Sequence, residues 1–417
     1  MVYCQERPSR KAFSMRKIVI YGLLALVALA VADGNALPTA FAATAAPLTP
    51  RHQGITGTAS IISGRISCAT PDSCLALAGS TNKSGRLAPV VLEWNGKSWR
   101  SVAVPAPKPT VAVINLSAVS CRSATSCLAV GGYLTLAGAG AERPYALRWN
   151  GTSLIPTAAP PEPKNGGFAA LTGVSCITVE SCVAVGISQG GAGPLMVQSW
   201  NGEKWTLHTE SIPGDPRSAY PGAVSCHFET FCVVAGETYP SGPGTPEMLL
   251  AKWNGKVLTA MKPAVPAGAA DATLNDVSCP SATHCAAAGY STNRAGTSVF
   301  GFAEMWNGKS WAAHKMTAPA GDAELYGVSC RADGTCVAVG GAGPPTATRA
   351  TALAFNGKTW TEQNVPGPGT GTSSVFFGVN CLRANECTAI GETVSSRPTT
   401  TAPLGGVLNG SWRLVAA

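Results

Sequence analysis

Charge is what this chain has least of. Asp, Glu, Lys and Arg make up 12% of its 417 residues, about half the usual share. No run of Lys or Arg clusters anywhere, and the formal net charge of +8 falls to about +5 (25 basic against 20 acidic residues) once residues 1–42 are set aside. Nucleic-acid affinity rests on many phosphate contacts, so no nucleic-acid partner is expected. Histidine is scarce too, and His52, His208, His227, His284 and His314 occupy unrelated places, which offers no shared set of metal ligands. The chain has no Gly-x-Ser-x-Gly elbow, no His-Glu-x-x-His pair and no phosphate-binding glycine loop, and so lacks the common signatures of serine hydrolases, zinc peptidases and nucleotide enzymes. Neither a cofactor nor a metal is therefore expected. Long apolar runs are missing as well, since the one candidate, Ile18 to Val31, has fourteen residues where a membrane span needs about 20.

That short run has another use. Arg10, Lys11, Arg16 and Lys17 precede it and Ala40-Phe41-Ala42 follows it, the layout of a secretory signal cut after a small residue. The expected organisation is a signal at 1–42, an Ala/Pro/Thr-rich linker at 43–57, and one repeat domain at 58–417. Lys11 stands where a twin-arginine signal would carry its second Arg, so the general secretory route is the expectation. No membrane attachment is expected after cleavage, and a monomer outside the cell or at its wall is.

What the chain has in excess is cysteine with a period. Fourteen of its fifteen cysteines form seven Cys-x5-Cys pairs: Cys68/Cys74, Cys121/Cys127, Cys176/Cys182, Cys226/Cys232, Cys279/Cys285, Cys330/Cys336 and Cys381/Cys387. Successive pairs start 50 to 55 residues apart. The odd one, Cys4, lies within the expected signal. Zinc pairs usually sit two to four residues apart and bring His with them, so disulfides are the reading here, and disulfides at this density belong to an oxidising compartment. Each bridge would clip a hairpin, with Cα atoms about 4.5 to 5.5 Å apart.

A full unit reads Val-Ser-Cys, a polar turn, Cys-x-Ala-Val-Gly, a variable Gly/Pro/Thr-rich stretch, an apolar run, Trp-Asn-Gly-x-x-Trp and a Pro-rich exit, as in Val174 to Trp205. Asn-Gly is a strong hairpin signal and occurs once per unit, at Asn95, Asn150, Asn201, Asn254, Asn307, Asn356 and Asn409. A two-residue turn at Asn95-Gly96 would pair Trp94 with Lys97 and Leu92 with Trp99, making the two Trp rings diagonal neighbours. All ten Trp residues occupy one of these two positions, which points to core packing. The seventh unit, Leu408-Asn409-Gly410-Ser411-Trp412, is one residue short and should turn differently. Seven such units predict an all-β, seven-bladed β-propeller with four-stranded blades of about 52 residues and one disulfide each.

The Asn-Gly-x-(Ser/Thr)-Trp turn after an Ala-Val-Gly strand resembles the propellers built from sialidase-type Asp-box (BNR) repeats, including the photosystem II assembly-factor-like group. The likeness covers residues 58 to 415, with Asn in place of the Asp and a box one residue tighter. The combined cysteine and tryptophan pattern also resembles a repeat of secreted actinobacterial proteins. The resemblance implies the fold; the Arg triad and Tyr nucleophile of a sialidase match no motif here.

In a four-stranded blade the bridged turn and the Asn-Gly turn share one face of the disc, and the variable segments share the other. Binding residues concentrate on variable loops held by a rigid scaffold. The candidates on that face are Arg86, Tyr133, Arg143, Tyr239, Tyr290, Arg294, Arg349 and Arg397, and the expected partner is a glycan or an extracellular protein. A rival reading is a glycoside hydrolase or lyase with Asp271, Asp276, Asp322 and Glu324 near the channel mouth, which requires two converging carboxylates.

Overall fold

The computed structural model describes residues 59–60, 65–81, 87–107, 111–135, 142–162, 168–189, 195–210, 218–239, 247–316, 322–344, 347–396 and 399–417. The expected signal and linker lie outside the described residues, as do Arg86 and Arg397.

Seven antiparallel sheets follow one another along the chain. Blade 3 is typical: Phe168–Cys176 lies innermost, then Cys182–Gln189, Leu195–Trp200 and Trp205–Glu210. Blade 1 builds its inner edge from two pieces, Ala59–Ser60 and Ile66–Thr70, which pair with opposite ends of Ser73–Thr81. Blade 7 uses Thr372–Arg383, Glu386–Ser396, Thr399–Asn409 and Ser411–Ala416. Among the described residues no strand is exchanged between the first and last blades.

Hydrophobic burial lies between blades, because each sheet is apolar on both faces. One apolar cluster joins blades 1 and 2 through Leu77, Val91, Leu116 and Leu147. The last closes the ring, packing Ile66, Leu92 and Trp94 of blade 1 on Ile390 of blade 7.

Every expected cysteine pair is a disulfide across the first hairpin of its blade: Cys68–Cys74, Cys121–Cys127, Cys176–Cys182, Cys226–Cys232, Cys279–Cys285, Cys330–Cys336 and Cys381–Cys387. The second cysteines Cys74, Cys127, Cys182, Cys232, Cys285, Cys336 and Cys387 are buried, at 0 to 5% exposure. Each belongs to one of the apolar clusters between blades. These residues are therefore scaffold, closed to any ligand.

The sequence reading is corrected in the spacing of the bridges. The paired Cα atoms stand 3.9 to 4.1 Å apart in place of the expected 4.5 to 5.5 Å, from Cys68–Cys74 at 3.9 Å to Cys279–Cys285 and Cys381–Cys387 at 4.1 Å. The reason lies in where the backbone amides point. Each first-cysteine N–H of blades 2 to 7 leaves its own hairpin and donates to the Ser one residue before the first cysteine of the preceding blade, as Cys121 does to Ser67 Oγ (2.9 Å) and Cys381 to Ser329 Oγ (2.9 Å). The cysteine pair is thus of the non-hydrogen-bonded kind, in which antiparallel strands come nearest. In blade 7 that Ser is Asn380, whose Oδ1 accepts from Cys68 N–H at 2.7 Å. A closed circle of seven hydrogen bonds therefore satisfies one amide on the inner edge of each blade.

The Asn-Gly turns depart from expectation. Trp94 pairs directly with Trp99, Trp200 with Trp205 and Trp306 with Trp311, so the loop holds four residues rather than two. Asn95 keeps an ordinary φ and its Oδ1 accepts the amides of Lys97 (3.0 Å) and Ser98 (2.9 Å), while Gly96 alone takes a positive φ. The side-chain cap replaces the second left-handed residue that a type I′ turn demands. Facing Trp rings then stack 5.2 to 5.5 Å apart. The short seventh unit does turn differently, with Asn409 opposite Ser411 across Gly410.

Candidate functional site

In blades 2 to 7 the inner strand carries a β-bulge four residues before its first cysteine, at Ser117, Thr172, Gly222, Asn275, Tyr326 and Phe377. The extra residue drives the inner strand toward the second strand of its own blade. This explains the glycine of Ala-Val-Gly: a Cβ on Gly131, Gly186, Gly236, Gly289, Gly340 or Gly391 would lie 1.8 to 2.1 Å from an inner-strand carbonyl oxygen. Bulges also re-aim side chains. Thr172 Oγ1 donates to Pro221 O of the next blade (2.6 Å) and Asn275 Nδ2 to Leu325 O (2.7 Å), while the Tyr326 ring meets Phe377 of blade 7 edge-on at 5.3 Å.

One residue further on, Arg65 of blade 1 crosses the central channel. Its guanidinium pairs with Asp276 of blade 5 at 2.7 Å and donates to the bulge carbonyls of Gly222 (2.8 Å) and Asn275 (2.7 Å). Asp276 Oδ2 also accepts Val328 N–H at 2.9 Å. Burial pushes the Asp276 carboxyl above its ordinary range, against the pull of Arg65. Toward the disulfide face the channel holds a cavity of about 140 Å³, whose wall includes Val119, Val174, Val277 and Val328 with Arg65 and Asp276 beside them. The signal for this tie was in the repeat. Units 2, 3, 4, 6 and 7 carry Ala or Gly three residues before the first cysteine, and only Arg65 and Asp276, of opposite sign, depart from that rule. Removing one member of a largely buried pair leaves its partner uncompensated. Asp276→Ala is therefore expected to lower the urea midpoint by an amount equivalent to about 3 kcal/mol, and Asp276→Asn by less.

Toward the variable face, blades 4 to 6 gather tyrosine and carboxylate. Glu237, 1% exposed, accepts from Tyr239 OH (3.0 Å) and from Thr273 Oγ1 of blade 5 (2.8 Å). Tyr239 packs edge-on against Tyr220 at 5.6 Å, and Tyr326 OH donates to Glu324. Sequence reasoning passed over Glu237, Tyr220 and Tyr326. The signal available was that four of the chain's eight tyrosines fall between residues 220 and 326.

The candidates read from the sequence are scattered. Tyr133 packs edge-on against Tyr145 at 5.7 Å. Arg143 is exposed and paired with Glu162 at 2.5 Å. Tyr290 is buried, while Arg294, on the connection after Asn293 in blade 5, and Arg349, which opens the third strand of blade 6, are exposed. Of the four acids, Asp276 is held by Arg65. Asp271 accepts Thr292 N–H (3.0 Å) and hydroxyl (2.6 Å), Asp322 accepts Val299 N–H (2.8 Å), and Glu324 accepts Tyr326. Among the described residues no group of three His, Cys, Asp or Glu is placed to hold a metal, and no helix is long and apolar enough to cross a membrane.

Two further carboxyls, Glu304 and Glu142, are buried. Glu304 is 0% exposed, accepts Ala264 N–H from the preceding blade's exit at 3.1 Å, and leaves Oε1 without a partner. Burial raises its pKa to about 7, and does the same for Glu142, whose Oε2 is also unpartnered. In blade 3 the place of Glu304 is taken by Gln198, which donates to Pro161 O of the same kind of exit at 3.0 Å.

No family model and no curated protein matches this chain. Solved structures do. The β-propeller domain of the Trilobed protease from Pyrococcus furiosus, described as having an open velcro topology, matches with TM-score 0.50 at 8% identity over 86% of this chain and 98% of that one. An acylaminoacyl peptidase in complex with Z-Gly-Gly-Phe-chloromethyl ketone matches with TM-score 0.51 at 9% identity, over 86% of this chain and 52% of that one. YCF48 bound to D1 peptide gives TM-score 0.48 at 12% identity, over 81% and 92%. At such identities the likeness is one of fold.

Proposed function

We propose that this chain is a secreted or cell-surface binding propeller, without enzymatic activity, that recognises a glycan or an extracellular protein through its variable-loop face. The observation that carries this reading is the division of the disc. The disulfide and Asn-Gly turns repeat one design on one face, while the connections between second and third strands differ from blade to blade on the other. Scaffold and recognition surface are separated in this way wherever loops vary on a fixed frame. The export signal at 1–42 and the linker at 43–57 belong to the same proposal, which the seven disulfides support. Against the rival hydrolase or lyase, each of the four acids it would employ already has a hydrogen-bonding or ionic partner.

The test is a screen of the secreted protein against arrayed glycans, cell-wall polymers and extracellular peptides, with every hit followed by mass spectrometry for turnover. Binding without cleavage is expected. Arg294→Ala and Arg349→Ala should weaken it, and changes at Lys97 and Lys309 on the uniform face should not. Cleavage of a bound glycan would replace this reading with the rival one.

A further inference from the structure

Every blade lends the wall of the channel cavity the residue two places before its first cysteine: Ile66, Val119, Val174, Val224, Val277, Val328 and Val379. Register fixes where the amides of these residues point. The cysteine pair is non-hydrogen-bonded, the pair before it is hydrogen-bonded, and the next, such as Val174 with Ala184, is again non-hydrogen-bonded. The Val174 N–H therefore leaves its own sheet toward the channel. Two distances agree with this. A Cβ built on Gly173 or Gly327, each three places before a first cysteine, would stand 3.2 Å from the amide nitrogen of Val224 or Val379 in the next blade. Where that place holds an acid, the amide is taken: Asp276 accepts Val328 N–H through Oδ2 at 2.9 Å, and its carboxyl also accepts the N–H of Val277. One carboxylate thus spans the inner edges of two neighbouring blades.

The other blades hold Arg65, Ala118, Gly173, Ala223, Gly327 and Gly378 at that place, and none of these side chains accepts a hydrogen bond. The N–H groups of Ile66, Val119, Val174, Val224 and Val379 are left facing the cavity. Side chains on the wall add donors. Ser278 and Ser329 accept the next blade's cysteine N–H and keep a hydroxyl proton, while Asn380 accepts through Oδ1 and keeps the protons of Nδ2. Arg65 and Asp276 cancel each other's charge, and no other ionisable side chain lines the cavity. The carbonyls of Gly222 and Asn275, which would favour a cation, are already taken by Arg65.

We propose that this cavity is a site for a small oxyanion of the size of sulfate or phosphate. The ion occupies, at the open amides, the role that the Asp276 carboxylate has at Val277 and Val328. Successive backbone N–H groups around a concavity bind anions, and a hydrogen bond to a charged acceptor is about twice as strong as one to a neutral acceptor. A volume of about 140 Å³ is well below the roughly 300 Å³ and more of drug-sized ligand pockets, which suits an ion rather than a chain. The site stands apart from any ligand on the variable face.

The probes are sulfate and selenate, each compared with chloride at equal ionic strength. Sulfate is expected to raise the thermal midpoint along a curve that saturates, and selenate soaked into crystals should give an anomalous peak in the channel within reach of these amides. Asp276→Ala opens two more amides and frees Arg65, so sulfate should bind this variant about tenfold more tightly and restore most of the midpoint that the substitution loses. Ala118→Asp repeats the blade 5 arrangement in front of Val174 and should weaken sulfate about tenfold. A rise that is linear in sulfate, and alike in parent and Ala118→Asp, is the general effect of an excluded salt and overturns the proposal. A selenate peak elsewhere or none, or a chloride effect equal to that of sulfate, overturns it as well. If Ala118→Asp does not fold, the selenate position and the Asp276→Ala titration decide.

Discussion

Reduction of the seven disulfides is expected to unfold this protein under conditions where the oxidised form is stable. Each bridge closes a loop between cysteines six apart in sequence, for which chain entropy gives roughly 2 to 2.5 kcal/mol. Together the seven reach a ceiling of roughly 17 kcal/mol, at least as large as the whole stability of an ordinary domain. Residual hairpin structure in the reduced, unfolded chain would lower the figure without removing it, since the pairs are independent and one per blade. The check is a urea titration with and without reductant, with thiols counted after each. A fully reduced protein whose midpoint matches that of the oxidised one would refute the expectation. A single bridge removed as Cys176→Ala with Cys182→Ala should cost about 2 kcal/mol.

The second large effect is a loss of stability from mildly acid to neutral pH. Glu142 and Glu304 have pKa values raised to about 7 in the folded protein from 4.5. Below pH 4.5 both states carry these protons and the folded state keeps its full advantage. Between pH 4.5 and 7 the unfolded chain ionises while the folded one holds its protons, so stability falls by up to about 1.4 kcal/mol per pH unit for each group. The total approaches about 3 kcal/mol per site above neutrality. Gln198 shows that an uncharged amide is accepted at the place of Glu304 in another blade. The variant Glu142→Gln with Glu304→Gln should therefore show a flatter urea midpoint from pH 5 to 8, and exceed the parent above neutral pH. Parallel profiles for parent and variant would mean that these carboxyls are not the source.

Much of the fold is legible without coordinates because it is written seven times. The Cys-x5-Cys spacing predicts the bridged hairpins, and the Asn-Gly positions predict where the outer hairpins turn. Their register was not legible, since Asn95 can supply a turn either by its own positive φ or by its side-chain oxygen, and the stacking of Trp94 on Trp99 favours the second. The inner-strand bulge was hidden for a different reason. One extra residue at Thr172 or Asn275 changes which way the following side chains face, yet leaves the local composition unremarkable. The site suffered most. Arg143, read as a binding cation, is in a surface ion pair, while Tyr220 and Tyr326 come from strands of different blades, and no spacing rule links them. Arg65 belongs to the same class, because its contacts lie 157 to 211 residues away in the chain.

The circle of hydrogen bonds from Ser67 round to Asn380 has a consequence for how such a molecule could be rearranged. Each link joins one blade to the next by the same donor and acceptor, and the link between last and first differs only in using an amide oxygen. Every described blade is made from consecutive chain, so the ring closes without an exchanged strand. Joining the ends and opening the chain at any exit linker would leave every sheet intact, so circular permutants beginning at blade 2, 4 or 6 should assemble the same disc. Gene duplication would face the same freedom, with a unit added or lost at any point and the circle redrawn around a new number of blades.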